Sequence, residues 1–237
     1  MRYRLLDVFR WGFVLGMIFF HFNFMMVNYF SNYTFENVAF WVNLQYFGKI
    51  WFLFLSWLAF SLAELKYKSQ IGVVYLKKSL NIWLLALMIT LASVILSKDS
   101  PIYFWILHYF IVSYVLLLPL RHIKYWNLPI WIILVIIWIY IEKMTFSSWA
   151  FFILWFRPAW FDYLDYFPLM PNFWYALIGY CTGLWLIRSD FIRTLRTSPK
   201  ILKPIEILWK KSLLIYIIHT PIIYSLIWII YFFGLIR

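Results

Sequence analysis

Asp7, Arg10 and His21 interrupt the first long apolar stretch of the sequence, LDVFRWGFVLGMIFFHF. An α-helix would place them on one stripe together with three further residues, at steps of three, four or seven: Met17, Met25 and Asn28. Ionisable groups inside an apolar span are costly and usually face the interior of a helix bundle or a wet cavity. The stripe therefore predicts a membrane-embedded site around His21, whose imidazole can act as a general base or as a nucleophile.

A purely structural role for the same side chains is the alternative. Asp7 and Arg10 are three residues apart near the start of the span, so they can form an ion pair. His21 can then serve as a hydrogen-bonding residue that holds another helix across the bundle. The sequence leaves both interpretations open.

Three further histidines are present, two of them within apolar segments. His108 lies in the fourth segment, and His219 in the last segment shares a helical stripe with Ser212 and Tyr216. His122 falls in a loop, and no role is assigned to it. Three embedded imidazoles could suit zinc, but the sequence has no H-x-x-x-H pair and no nearby carboxylate pattern, so no metal is expected.

The composition is that of an integral membrane protein. Of the 237 residues, 65% are apolar and 25% are aromatic, and the mean hydropathy is +0.82, whereas soluble domains have roughly 45–50% apolar residues. Apolar runs separated by short loops predict an all-α fold, a polytopic transmembrane helix bundle forming one domain over residues 1–237. Cys181 is the only cysteine, so neither a disulfide within the chain nor a cysteine-based metal site is expected. The first apolar run lacks a cleavage site, so we expect it to be retained as a span.

Seven spans are predicted from the apolar runs. They cover residues 8–30, 47–63, 80–97, 102–120, 128–141, 172–187 and 212–233. The segment 145–156 is too short to span comfortably, and we expect it to be re-entrant or interfacial on the outer side. In the first span, Gly12 and Gly16 form a G-x-x-x-G pair opposite the polar stripe, which predicts close packing of a neighbouring helix there.

The net charge of +12 is explained by topology. With the N-terminus on the cytoplasmic side, sixteen of the 21 lysines and arginines fall on that side and five on the other. Such a bias is the positive-inside pattern, and the basic surface suits anionic membrane lipid. No nucleic-acid partner is therefore expected.

Five motifs follow one another along most of the chain. The first is R-x-x-D-x-x-R with a histidine eleven residues after its second arginine, formed by Arg4, Asp7, Arg10 and His21. The others are YFWILHYFIVSYVLLLPL, DYFPLMP, ALIGYCTG and KSLLIYIIHTP. In this order, as far as about Pro221, they resemble the heparan-α-glucosaminide N-acetyltransferase family, particularly its short bacterial members.

The resemblance implies a multi-pass acyltransferase of the bacterial inner membrane. Such a protein moves an acetyl or other acyl group from cytoplasmic acyl-CoA to an amino sugar or other glycan acceptor on the far side. By residue-by-residue match, His21, His108 and His219 are the candidate catalytic residues. We expect acyl-CoA, normally acetyl-CoA, to contact Asp7, Arg10, Lys210 and Lys211, and the acceptor to contact Asp165, Asn28 and Tyr216. For Asp165 the sequence leaves a second interpretation equally open, a loop carboxylate that caps the backbone or pairs with Arg157. The sequence is also compatible with a homo-oligomer.

The chain departs from the family pattern at several positions. Trp11, Trp105 and Trp174 stand where the short relatives usually have glycine, and Met25 stands where they commonly have aspartate one turn beyond His21. An indole fills space that glycine leaves open, and Met25 cannot orient an imidazole as a carboxylate does. These features favour an alternative, a non-catalytic member that binds a lipid, glycan or partner protein. A transporter is less favoured, because no inverted repeat or broken pair of spans is visible.

Overall fold

The computed structural model describes residues 3–30, 37–96, 101–141, 144, 152–154, 166–196, 199–209 and 212–234. In these ranges the regular structure is helical, with one isolated bridge between Phe104 and Tyr166. The α-helices of this part are α1 (Arg4–Tyr29), α2 (Val38–Tyr67), α3 (Ile71–Leu96), α4 (Ile106–Leu120), α5 (Asn127–Ile141), α6 (Asn172–Arg188), α7 (Phe191–Thr194), α8 (Lys203–Trp209) and α9 (Ser212–Phe232). The all-α prediction is confirmed for the part of the chain described.

Four segments of the described chain are long and apolar enough to cross a membrane. They are Arg4–Val27, Val38–Ile95, Ile106–Ile141 and Ser212–Phe232. The second contains α2 and α3, and the third contains α4 and α5. A straight helix of 58 residues would measure about 87 Å, far more than a hydrocarbon core of roughly 30 Å, so Val38–Ile95 is too long for one span. The predicted span at 172–187 corresponds to α6, which has 17 residues.

The helices extend further than the predicted spans. Residues 64–79 were expected to connect two spans, yet α2 continues to Tyr67 and α3 begins at Ile71. The only break is a short 3-10 turn in which Lys68 has a φ of 46°, in the left-handed region. Lysine, glutamate and leucine are good helix formers, and long basic side chains can extend into water from an otherwise apolar helix. The connection between the predicted spans 172–187 and 212–233 likewise contains α7 and α8.

The prediction for the glycine pair of α1 is wrong. No atom of another described element lies within 4 Å of where a Cβ would stand on Gly12 or Gly16. The first half of α1 instead buries Asp7, Trp11 and Val14. This helix therefore packs through its larger side chains, which offer more contact area than the glycines.

The chain forms two compact units, and the prediction of a single domain stays a prediction. One unit comprises residues 1–55 and 188–237, and the other residues 56–187. In the first unit, α1 packs against α8 and α9. Met26 and Phe30 form a buried apolar cluster with Ile223 and Ile227 of α9. The resulting contact between α1 and α9 brings together two predicted spans from opposite ends of the sequence.

The second unit is built around an aromatic core and a close helix contact. The rings of Trp57 and Tyr114 lie 4.8 Å apart, and those of Phe60 and Tyr75 lie 4.5 Å apart. Here α2 approaches α6 at Gly183, where a Cβ would stand 1.7 Å from Ser61 Oγ. The half-buried carboxylate of Glu64 in the same unit is paired, because it accepts a hydrogen bond from Tyr180 at 3.0 Å and lies 3.6 Å from Arg121.

Gly183→Ala should destabilise the second unit. The new methyl group would overlap Ser61 Oγ, which is held by donating a hydrogen bond to the Leu58 carbonyl at 2.6 Å, and would stand 2.8 Å from that carbonyl oxygen itself. Overpacking of this kind costs about 1–3 kcal/mol, against a gain in helix propensity of about 1 kcal/mol. We expect a lower midpoint of thermal unfolding in detergent.

Gly72→Ala is the matched control, because no atom of the described residues lies within 4 Å of its Cβ position. It should leave the midpoint unchanged or raise it, since alanine favours the helix. A Gly183→Ala protein as stable as the parent would contradict the close contact between α2 and α6.

Candidate active site

His21 of α1 and His219 of α9 meet in the first unit. Nδ1 of His21 lies 2.8 Å from Nε2 of His219, and the ring centroids are 5.0 Å apart. His219 is buried, with 5% of its surface exposed, and His21 is half-buried. The structure thus joins two of the three histidines that the sequence singles out.

The backbone around His219 determines which ring nitrogens carry protons. Nδ1 of His219 lies 2.6 Å from the Tyr216 carbonyl oxygen, which can only accept, so this nitrogen donates. In the neutral ring, Nε2 of His219 is then an acceptor and receives the Nδ1 proton of His21. Nε2 of His21 is therefore left with a free lone pair. A general base or a nucleophile needs such a lone pair.

Two residues next to His219 contribute in ways the sequence reasoning missed. Tyr216 acts on the pair through its backbone carbonyl, whereas its side chain was the expected contact. The Thr220 hydroxyl lies 3.2 Å from Nε2 of His219, farther than His21, so it is a second donor beside a lone pair that the His21 proton already uses. The only available signal for Thr220 was its place beside the histidine in the motif KSLLIYIIHTP.

Asp7 and Arg10 form the ion pair that the structural interpretation predicted. Arg10 Nη1 lies 4.0 Å from Asp7 Oδ1, and Arg10 Nη2 donates a hydrogen bond to the Leu55 carbonyl at 3.1 Å. Asp7 is buried at 7% exposure and Trp11 at 5%. Trp11 is thus a packed core residue next to a compensated arginine.

His108 belongs to the second unit and lines an open groove of about 710 Å³. Its Nδ1 accepts a hydrogen bond from the Trp105 backbone N–H at 3.4 Å, and its ring lies 5.7 Å from the ring of Phe104. Trp174, in the same unit, contacts Trp138 with ring centroids 5.2 Å apart. The indole of Trp174, at one of the usual glycine positions, therefore has a defined aromatic neighbour.

Comparison with protein families identifies the chain. The model described as the heparan-alpha-glucosaminide N-acetyltransferase catalytic domain matches residues 2–221. The chain belongs to this family. Neither the curated proteins nor the solved structures gave a significant match. The family resemblance read from the five motifs is confirmed, and together with the apolar segments it makes this an integral membrane protein of acetyltransferase type.

Several predicted site residues of this acetyltransferase-type chain lie outside the described residues. They are Asp165, Lys210, Lys211 and the side chain of Asn28. Most of the segment 145–156 also lies outside the described residues. No group of three histidine, cysteine or carboxylate side chains that could hold a metal occurs among the residues that were described.

The hydrogen-bond chain makes a prediction that does not depend on activity. With 15N-labelled histidine and the rings neutral at about pH 8.5, above the ordinary histidine pKa of about 6.5, His21 and His219 should each carry their proton on Nδ1. His108 should carry it on Nε2, because its Nδ1 accepts from Trp105. Nitrogen NMR of the reconstituted protein measures this directly, and only four histidines need assignment. A proton on Nε2 of His21 would contradict the hydrogen bonds proposed from His21 through His219 to the Tyr216 carbonyl.

Proposed function

We propose that this family member is a membrane-embedded acetyltransferase that moves an acetyl group from acetyl-CoA to an amino sugar or other glycan acceptor. The single observation that carries the proposal is the chain from His21 through His219 to the Tyr216 carbonyl. It leaves Nε2 of His21 able to take a proton. The family match over residues 2–221 supports the type of reaction.

In the proposed reaction His21 is the general base. The acceptor nitrogen attacks the thioester carbonyl carbon while its proton passes to Nε2 of His21. The carbon–sulfur bond then breaks, the acetyl group remains on the acceptor, and the CoA sulfur takes the proton back from His21. While His21 is cationic, its Nδ1–H donates to Nε2 of His219, so the charge is stabilised by a fixed acceptor.

A nucleophilic role for His21 is the alternative chemistry. Nε2 would attack the thioester carbon and expel CoA, and the acceptor would then remove the acetyl group from the ring. The same lone pair is needed, but an acetylated enzyme would form before any acceptor binds. Both routes keep the Nδ1 proton of His21 on its bond to His219, and we propose the general base because it reaches the product without an acetylated enzyme.

His219 also bears on the missing carboxylate at position 25. In the sequence-based argument, Met25 left His21 without an orienting partner. His219 supplies an orienting hydrogen bond at 2.8 Å that does not depend on residue 25. The departure at Met25 is therefore no longer an argument for a non-catalytic protein.

The remaining assignments are part of the proposal. We propose seven spans, a cytoplasmic N-terminus and a bacterial inner-membrane location, supported by the distribution of the 21 basic residues and by the apolar segments. Phosphates of CoA would meet Arg10, Lys210 and Lys211, with Asp7 holding Arg10 in place. The acceptor would contact Asp165, Asn28 and Tyr216. His108 would be a third catalytic histidine, as the family resemblance implies.

His21→Gln should lower kcat/KM for acetyl transfer by about 100- to 10,000-fold, the usual contribution of a general base. His219→Phe should cause a smaller loss, because it removes the acceptor of the His21 proton but keeps an aromatic ring. The assay measures transfer of labelled acetyl from acetyl-CoA to glucosamine by protein reconstituted in lipid vesicles.

His122→Gln is the matched control, since His122 is exposed and has no assigned role. It should keep the parent rate. If the parent protein transfers no label to any amino sugar, or if His21→Gln keeps full activity, the proposed function is wrong and the non-catalytic alternative takes its place.

CoA release in the absence of acceptor separates the two roles of His21. A general base predicts no burst, whereas a nucleophile predicts release of about one CoA per active site. We expect no burst. A thiol reagent can measure the released CoA, because Cys181 is the only cysteine of the chain and is buried. A stoichiometric burst that disappears in His21→Gln would establish the nucleophilic route instead.

A further inference from the structure

Two exposed lysines lie at the same end of the second unit, one in each of two short connections. Lys68 begins the turn between α2 and α3, and Lys124 lies in the turn between α4 and α5. Glu64, near the end of α2, lies 3.6 Å from Arg121, where the second turn begins, so the two connections meet at this ion pair. Each lysine is within four residues of the pair. The folding of this unit thus brings two distant basic residues to one end of its helices.

This end of the unit carries an excess of positive charge. Glu64 is the only carboxylate among the residues described in the second unit, and Arg121 already compensates it. Lys68 and Lys124 are exposed, and neither forms an ion pair within the described part of the chain. Their ammonium groups are therefore available to an anion from outside the protein.

The backbone of both lysines is in a conformation that lysine rarely adopts. The φ angle is 46° at Lys68 and 49° at Lys124, in the left-handed region that glycine or asparagine enters at lower cost. The kink at Lys124 is held from inside, because buried Asn127 donates its side-chain amide to the carbonyls of Leu120 and Lys124, at 3.0 and 2.7 Å. Backbone strain of this kind is common where a side chain has a function. At these two positions lysine supplies a charge that the less strained asparagine would not.

Apolar side chains beside Lys124 favour a lipid over a soluble anion. Trp126 is 74% exposed and Ile123 is 37% exposed. Tryptophan is enriched where a membrane meets water, because its ring is apolar and its N–H group is polar. In the seven-span topology proposed above, both turns lie at the cytoplasmic surface, where anionic headgroups attract basic residues. A ligand of this surface therefore combines a negative charge with hydrocarbon.

We propose that this end of the second unit binds one anionic phospholipid, with Lys68 and Lys124 on its phosphate and Trp126 against its glycerol and upper acyl chains. An overall excess of basic residues attracts anionic lipid without fixing its position, whereas two charges at fixed turns define a site. CoA also carries phosphates, but it has no acyl chains to lie against the exposed indole. The inference rests on the proposed topology and is independent of acetyl transfer.

Native mass spectrometry of the protein in detergent counts bound lipids and measures the affinity for the first one. Dioleoyl phosphatidylglycerol should bind more tightly than dioleoyl phosphatidylcholine, which has the same chains and no net charge. Lys68→Asn and Lys124→Asn should each weaken the first phosphatidylglycerol by about fivefold, the contribution of one basic residue at an anionic surface. Lys203→Asn removes an exposed charge of the first unit and is the matched control, so it should keep the parent affinity.

Thermal unfolding separates lost binding from lost folding. Without lipid, Lys68→Asn and Lys124→Asn should unfold at the parent midpoint or above it, because asparagine tolerates the left-handed conformation. Phosphatidylglycerol should raise the midpoint of the parent, and the asparagine variants should lose most of this rise. Lys68→Arg and Lys124→Arg keep the charge and should keep the rise.

Three results would overturn the inference. Equal affinity for the two lipids would remove the headgroup contact. An equal loss in Lys203→Asn would show that overall charge attracts the lipid and that no defined site exists. Displacement of phosphatidylglycerol by CoA would make this a site for soluble phosphates. Loss of the phosphatidylglycerol preference in both asparagine variants, with Lys203→Asn unchanged and no displacement by CoA, would establish the lipid site.

Discussion

A neutral imidazole has one donor and one acceptor, and this constraint governs the contact between α1 and α9. In an apolar span each of these groups needs a partner, because an unsatisfied polar group costs several kcal/mol there. The Tyr216 carbonyl takes the donor of His219, and His219 takes the donor of His21. Once these two bonds are made, the acceptor at Nε2 of His21 is the group left for a ligand or a reaction. The same two hydrogen bonds thus join the helix pair and underlie the proposed chemistry.

The same hydrogen-bond chain shows what orients His21 when methionine stands at position 25. A carboxylate in an apolar span carries a large desolvation penalty unless it is paired. The histidine pair orients His21 with neutral groups, so no buried charge has to be maintained when the site is at rest. In the proposed reaction charge develops only while His21 holds a proton, and His219 already lies 2.8 Å from that ring.

The sequence predicted the polar stripe and the ion pair of α1, because both depend only on helical spacing. It could not predict the partner of His21, since His219 lies 198 residues further along and their meeting depends on how α1 packs against α9. The carbonyl of Tyr216 carries no sequence signal at all, because every residue has one. The prediction of close packing at the glycine pair failed for a related reason. Gly12 and Gly16 permit close packing, but α1 buries Asp7, Trp11 and Val14 instead.

The position of a histidine in its helix decides what its outer nitrogen can do. His108 stands in the first turn of α4, where backbone N–H groups have no partner within the helix, so its Nδ1 accepts one and its Nε2 becomes a donor. His219 stands inside α9, where its Nδ1 meets the carbonyl three residues earlier, so its Nε2 becomes an acceptor. The helix start therefore leaves His108 with a donor at Nε2, whereas the helix interior leaves His219 with an acceptor at Nε2, which receives the proton of His21. One residue type is thus a donor in one unit and an acceptor in the other, and the local backbone makes the difference.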